Sequence, residues 1–311
     1  MSLRHPRRVK TLPEAPSSLR HLALLLPLWA AGCMDGRVLV LGQSTPDPWH
    51  FSEPRLLTEL ASTAKTDNPS LSTDLLEMYF TSERTGIADL YVAERSSAQT
   101  NFSAPVRIDA LSTEGVETSP AISADGLTLY WASDREGGMG DLDIWRSTRA
   151  SRGAPWSAPE NQRALNSSGK DLPRLPGFHD TVMPLSSDRA DHGYYAILFA
   201  QADHETNSFV SPAAVPELHF EHESTVDGFL TDDGLTLFYV TGPGLGAADM
   251  FVASRRNTDA AFEHFAPLHE LNSASDERDP WLSADGTRFF FSSNRSGRYA
   301  IYETEVSRTD P

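Results

Sequence analysis

The chain has 311 residues, a formal net charge of −17, and 39% apolar and 22% charged residues. It is long enough for one large repeat fold or two average domains, and too apolar for wholesale disorder. So acidic a surface repels phosphate backbones and anionic headgroups, which argues against nucleic acid and favours cations or basic partners.

The first 33 residues read as a targeting segment. A basic stretch carrying Arg4, Arg7, Arg8, Lys10 and Arg20 precedes an apolar run from Leu22 to Ala31. That run is too short to cross a bilayer of about 30 Å as a helix, but it suits a signal-peptide core. Gly32 and Cys33 follow, where a bacterial lipobox would end, although Ala30 stands where Leu is usual. Cys33 is the sole cysteine, so it forms no disulfide within the chain and is expected to be lipidated. Cleavage there leaves 21 basic against 42 acidic side chains. Residues 34–48 then read as a tether, and 49–311 as a single domain.

That domain repeats. Segments starting at Pro69, Pro120, Gly228 and Pro280 each run through a Ser or Thr, a turn, an apolar strand, a second turn and a second strand, and a worn copy starts at Pro184. The marking residues are Ser72, Ser123, Ser187, Thr231 and Ser283. Asp125-Gly126, Asp233-Gly234 and Asp285-Gly286 are hairpin signals, and the β-branched and aromatic residues after them suit pleated, buried strands. Ser-x-Arg followed by Gly, as from Ser82 to Gly86, Ser133 to Gly137 and Ser293 to Gly297, makes the next turn. Asp89, Asp143 and Asp249 open a third strand, and Phe102, Trp156, Phe209 and Phe265 mark an outer one.

Four strands per unit and units 44 to 64 residues apart define an all-β propeller of five blades. A sixth remains open if residues 160–183 hide a degenerate one. The last unit lacks its outer strand, while an orphan copy of that motif, Trp49 to Pro54, precedes the first unit. The N-terminal strand is therefore expected to complete the final blade and close the ring.

The string SADGLTLYWASDREGGMGDLDIW resembles the WD40-like repeat of the TolB periplasmic propellers and similar lipoproteins of Gram-negative bacteria. The resemblance spans residues 49 to 305. It implies a non-enzymatic scaffold of the cell envelope that binds a protein partner through one face, periplasmic or associated with the outer membrane, held to the membrane only by its lipid. No segment matches the separate N-terminal domain of the namesake, so that protein's particular role does not carry over.

Candidate chemistry is sparse. Asp89, Asp143 and Asp249 recur with the repeat, which makes them structural fixtures, with Arg84 or Arg135 as expected partners. Asp67, Glu117, Asp227, Glu277 and Asp279 precede the innermost strands, near the mouth of a central channel. They read either as solvated loop acids or as a cradle for a basic segment or a cation such as calcium; no other cofactor is expected. The alternative function is a carbohydrate-active hydrolase using Asp67, Glu117 and Asp279. His179, His192, His204, His219 and His222 cluster in sequence without convergent metal-ligand spacing. The insert from Asn166 to Gly177 breaks the repeat and marks a place where function could sit.

Overall fold

In the computed structural model the described residues are 49–308, apart from 176, 178, 192–193, 206–207, 221–222 and 243–247. The segment bearing Cys33 and the tether lie outside them, as do His192 and His222. Two short strands begin the domain, β1 (Trp49–Phe51) and β2 (Arg55–Leu56). Blade 1 is β3 (Thr66–Leu71), β4 (Glu77–Ser82), β5 (Asp89–Glu94) and β6 (Val106–Arg107). Blade 2 is β7 (Glu117–Ile122), β8 (Thr128–Ser133), β9 (Asp143–Thr148) and β10 (Glu160–Asn161). Blade 3 is β11 (Asp171–Pro173), β12 (Val182–Asp191), β13 (Tyr194–Asp203) and β14 (Ser208–Ala214). Blade 4 is β15 (Ser224–Leu230), β16 (Thr236–Gly242), β17 (Asp249–Ser254) and β18 (Glu263–Pro267). Blade 5 has β19 (Glu277–Leu282), β20 (Arg288–Ser293) and β21 (Ala300–Arg308), and takes β1 and β2 as its outer strands.

The chain is thus an all-β, five-bladed propeller, and one 3-10 turn, Pro216–Leu218, is the only helix among the described residues. Residues 160–183 hold no sixth blade: they supply the outer strand of blade 2 and the inner strand of blade 3. Ring closure takes the expected course, the N-terminal strands completing the last blade, with Trp49 opposite Arg308 and Leu56 opposite Tyr302, all antiparallel. Closure removes the free edge that an open sheet would offer to other chains.

Two repeated devices hold neighbouring blades. In the first, an arginine guanidinium stacks on the outer-strand aromatic of its own blade: Arg95 on Phe102, Arg149 on Trp156, Arg255 on Phe262 and Arg308 on Trp49. The aromatic then meets a ring of the preceding blade, as Trp156 meets Tyr79 and Phe209 meets Tyr130. In blade 4 the aromatic that fills this role is Phe262, not the expected Phe265.

The second device explains Ser-x-Arg. Arg135 donates from Nε to Ser133 Oγ (3.1 Å) and from Nη2 to the Leu111 carbonyl (2.6 Å) and Glu117 (3.1 Å). Arg295 repeats this with Ser293, Leu271 and Glu277, and Arg189 with Ser187, Leu165 and Asp171. Arg84 bonds Ser82 and the Leu60 carbonyl, with Thr66 standing in the acid's place. A charge-assisted bond of this kind, satisfied on every side, fixes the connection entering each blade.

The clamp also corrects the frame of the third unit. Ser187 belongs to Ser-x-Arg at the end of β12, and the counterpart of Ser72 is Gly177, which pairs with Val182 as Ser72 pairs with Glu77. With Gly177 in place, the marks fall 51, 54, 54 and 52 residues apart.

Candidate functional site

Asp89, Asp143 and Asp249 are fixtures of the blades rather than channel groups, but their partners differ from expectation. Asp89 is fully buried, accepting from Thr85 Oγ1 and Arg107 Nη2, each at 2.8 Å. Asp143 accepts from the backbone amides of Met139 and Gly140 and from Asn161, so it pins the turn before its own strand. Arg84 and Arg135 are occupied in the clamps described above. Asp249 is half-buried, and burial raises its carboxyl above the ordinary range.

The five acids expected ahead of the inner strands lie within them, and they divide into two groups. Glu117 and Glu277 are fully buried inside clamps: each also accepts from the amide and hydroxyl of the residue four positions earlier, Thr113 or Ser273. They are unavailable to a ligand. Asp67, Asp227 and Asp279, by contrast, converge on the axis.

What separates the groups is their position relative to a bulge. The register slips between β3 and β4 after Asp67, and likewise in β7, β15 and β19 after Thr118, Val226 and Arg278. At each slip a residue adopts positive φ: Asn68 (55°), Ser119 (53°), Asp227 (59°) and Asp279 (57°). Asn and Asp tolerate this left-handed conformation better than most residues. Blade 3 has Pro173 in that position, and proline's ring holds φ negative. β11 therefore ends at Pro173 with no slip inside it, and pairing resumes at Gly177 opposite Val182, one residue out of register. The next residue is Arg174, where three other blades have Pro69, Pro120, Pro280 and the fourth Gly228.

Arg174 closes the channel. Its buried guanidinium donates to Asn68 Oδ1 of blade 1 (3.2 Å) and Asp279 Oδ1 of blade 5 (3.0 Å), and pairs with Asp227 of blade 4. Asn68 in turn donates its backbone N–H to Asp279 Oδ2 (3.1 Å), and its Oδ1 accepts from Ser119 Oγ (3.3 Å). Side chains from all five blades thus share a single network around one cation. Asp67 lies beside it, 2.6 Å from the half-exposed Lys65. Burial, with Asp279 adding to it, raises the Asp67 carboxyl above its ordinary range, and its Oδ1 has no hydrogen-bond partner. The sequence reading missed Arg174 because the third unit was framed from Pro184; Ser187-Asp188-Arg189 was the signal that would have corrected it.

Among the described residues no group of three His, Cys, Asp or Glu is placed to hold a metal. His179, His204 and His219 are all exposed, and His219 follows the 3-10 turn rather than lying on a strand.

The fold and this axial network define a class, the five-bladed propeller with a plugged channel. No family model matches the sequence, and no curated protein matches it. Among solved structures the chain is similar to TolB of Acinetobacter baumannii, with 16% identity and a TM-score of 0.53 over 80% of this chain. This chain spans 56% of the length of that TolB. A family 117 glycoside hydrolase of Zobellia galactanivorans aligns with 14% identity and a TM-score of 0.52, over 83% of this chain and 90% of its own. A thermostable family-43 glycoside hydrolase aligns with 8% identity and a TM-score of 0.54, over 82% and 92%. These likenesses show the propeller fold, in which both TolB and hydrolases occur.

Proposed function

We propose that the protein is a non-enzymatic binding scaffold of the cell envelope, lipid-anchored at Cys33 on the periplasmic side of a Gram-negative membrane, and that it engages a protein partner through the acidic face of the propeller. The observation that carries this reading is the pairing of Asp227 and Asp279 with Arg174. A retaining or inverting glycosidase needs one carboxyl free to protonate and another free to attack or activate water. Here two of the three axial carboxylates answer an internal cation, and Glu117 is locked in a clamp. The resemblance to TolB-type repeats and the acidic surface support the scaffold.

A second reading keeps one observation in its favour: Asp67, whose carboxyl burial raises above the ordinary range, lies beside a second carboxyl, Asp279. One experiment separates them. The purified protein is used to capture partners from envelope fractions at low and high salt and is assayed in parallel against a panel of aryl glycosides. The scaffold predicts a captured basic partner released by salt, because exposed charge pairs are screened within a Debye length of about 8–10 Å, and no turnover. Glycoside turnover that disappears in Asp67→Asn would overturn it.

A further inference from the structure

Among the described residues blade 4 alone shows no guanidinium clamp. Thr241 stands where the other blades have Ser82, Ser133, Ser187 and Ser293, and Pro243 where they have arginine. The Leu218 carbonyl, deprived of an arginine, accepts instead from Thr225 Oγ1 at 2.8 Å. A second repeated contact lapses here too. The amides of Asn68, Ser119 and Asp227 donate to a hydroxyl on the preceding blade, Ser292, Thr81 and Ser186 respectively. For Asp279 the corresponding position on blade 4 is Val240.

Where both contacts are missing, a cavity of about 160 Å³ lies between blades 3, 4 and 5. Its apolar wall is Leu172, Val226 and Val240, and Tyr195, Thr241 and Arg278 supply its polar groups. Thr241 Oγ1 and Arg278 Nε are buried and have no hydrogen-bond partner among the described residues, although Asp276 lies 3.9 Å from the far end of the guanidinium. Burial pushes the Tyr195 phenol up to about 12, so it stays neutral. Asp227 also borders the cavity, but its carboxylate faces Arg174. The cavity therefore offers an apolar body and two unanswered donors beside a positive charge. Its volume is close to the ~150 Å³ that accommodates a benzene ring in an engineered cavity.

We infer that this cavity binds a small monoanion with a compact apolar body, a carboxylate of about the size of benzoate. The apolar part packs on Leu172, Val226 and Val240, and the carboxylate accepts from Arg278 Nε and Thr241 Oγ1. The site goes beyond the scaffold reading and is independent of it: failure to capture a partner leaves the cavity standing, and an empty cavity leaves the scaffold standing.

The test is calorimetric titration of the intact protein with benzoate and with benzamide, its neutral isostere. Benzoate is expected to bind about tenfold more tightly, the worth of one hydrogen bond to a charged group. Arg278→Gln should bring benzoate down to the benzamide level, and Val226→Phe, which fills the cavity, should abolish both. Arg278 is 20% exposed at its side chain, so its replacement decides the matter even where Val226→Phe fails to fold. Absence of benzoate binding in the millimolar range, equal affinity for the two probes, or benzoate affinity unchanged in Arg278→Gln each overturns the assignment.

Discussion

The indole of Trp49 meets the ring of Phe238 edge-on, with 5.1 Å between centroids, although 189 residues of chain separate them. Trp49 is the outer-strand aromatic of blade 5 supplied from the opposite end of the domain, and Arg308 stacks on its other side. It does for blades 4 and 5 what Trp156 does for blades 1 and 2. Trp49→Ala should therefore cost about 3–5 kcal/mol, the usual loss for a buried large aromatic, where Trp156→Phe costs much less. Denaturant unfolding of the two variants checks this. A loss below about 1 kcal/mol for Trp49→Ala, within the spread of ordinary substitutions, would mean the ring is not closed by that strand.

Among the described residues Arg174 is the only cation hydrogen-bonded within the axial network. Arg174→Met should destabilise the protein at neutral pH by about 3–5 kcal/mol, because it strands buried carboxylates without a partner. Stranded acids bind protons more tightly folded than unfolded, so their cost grows as pH rises above the ordinary carboxylate value of about 3.9. The defect should accordingly be milder near about pH 4.5 than near pH 7.5, and adding Asp227→Asn with Asp279→Asn should recover much of it. Unfolding midpoints at the two pH values give the comparison. A pH-independent defect would show that Arg174 acts by packing alone.

The blade count, the closure and the turn chemistry were legible because each rests on local pattern: Asp-Gly at hairpins, Ser-x-Arg at the clamps, a misplaced outer-strand motif at Trp49. The division among the acids was not. Glu117 opens β7 and Asp67 is the second residue of β3, yet one enters a clamp and the other the channel; both strands carry the bulge, and a one-residue difference in distance from it decides which. Nothing in alternation marks such a slip. Pro173 did carry relevant information, since it cannot take the positive φ of its counterparts and stands directly before Arg174, but only once the third unit is framed from Asp171.

Asp67 makes a separate prediction with a definite sign. Its carboxyl is raised in the folded protein, chiefly by burial, so the folded state holds its proton more tightly than the unfolded chain. Stability then falls as pH climbs from the ordinary carboxylate range through the raised folded value, and is regained on acidification. Asp67→Asn removes the ionisation while keeping the shape. It should be neutral or stabilising at pH 7, with its advantage over the parent vanishing below about pH 4. If the variant instead loses stability at pH 7, the ion pair with Lys65 outweighs the burial of Asp67.

Glu117 and Glu277 occupy the same clamp in blades 2 and 5, which are not neighbours in the ring. Replacing either by Gln keeps its size but weakens bonds to Arg135 or Arg295, and each should cost about 1–3 kcal/mol for a disturbed buried acceptor. Their clamps share no residue, so the double variant should lose the sum of the two within about 0.5 kcal/mol. Urea unfolding of the two singles and the double closes that cycle. An excess loss in the double would mean that the clamps are coupled around the ring through the axial network, since no direct contact joins them. Additivity would instead make each clamp a local lock on its own blade, and would separate the two glutamates energetically from the carboxylates gathered on Arg174.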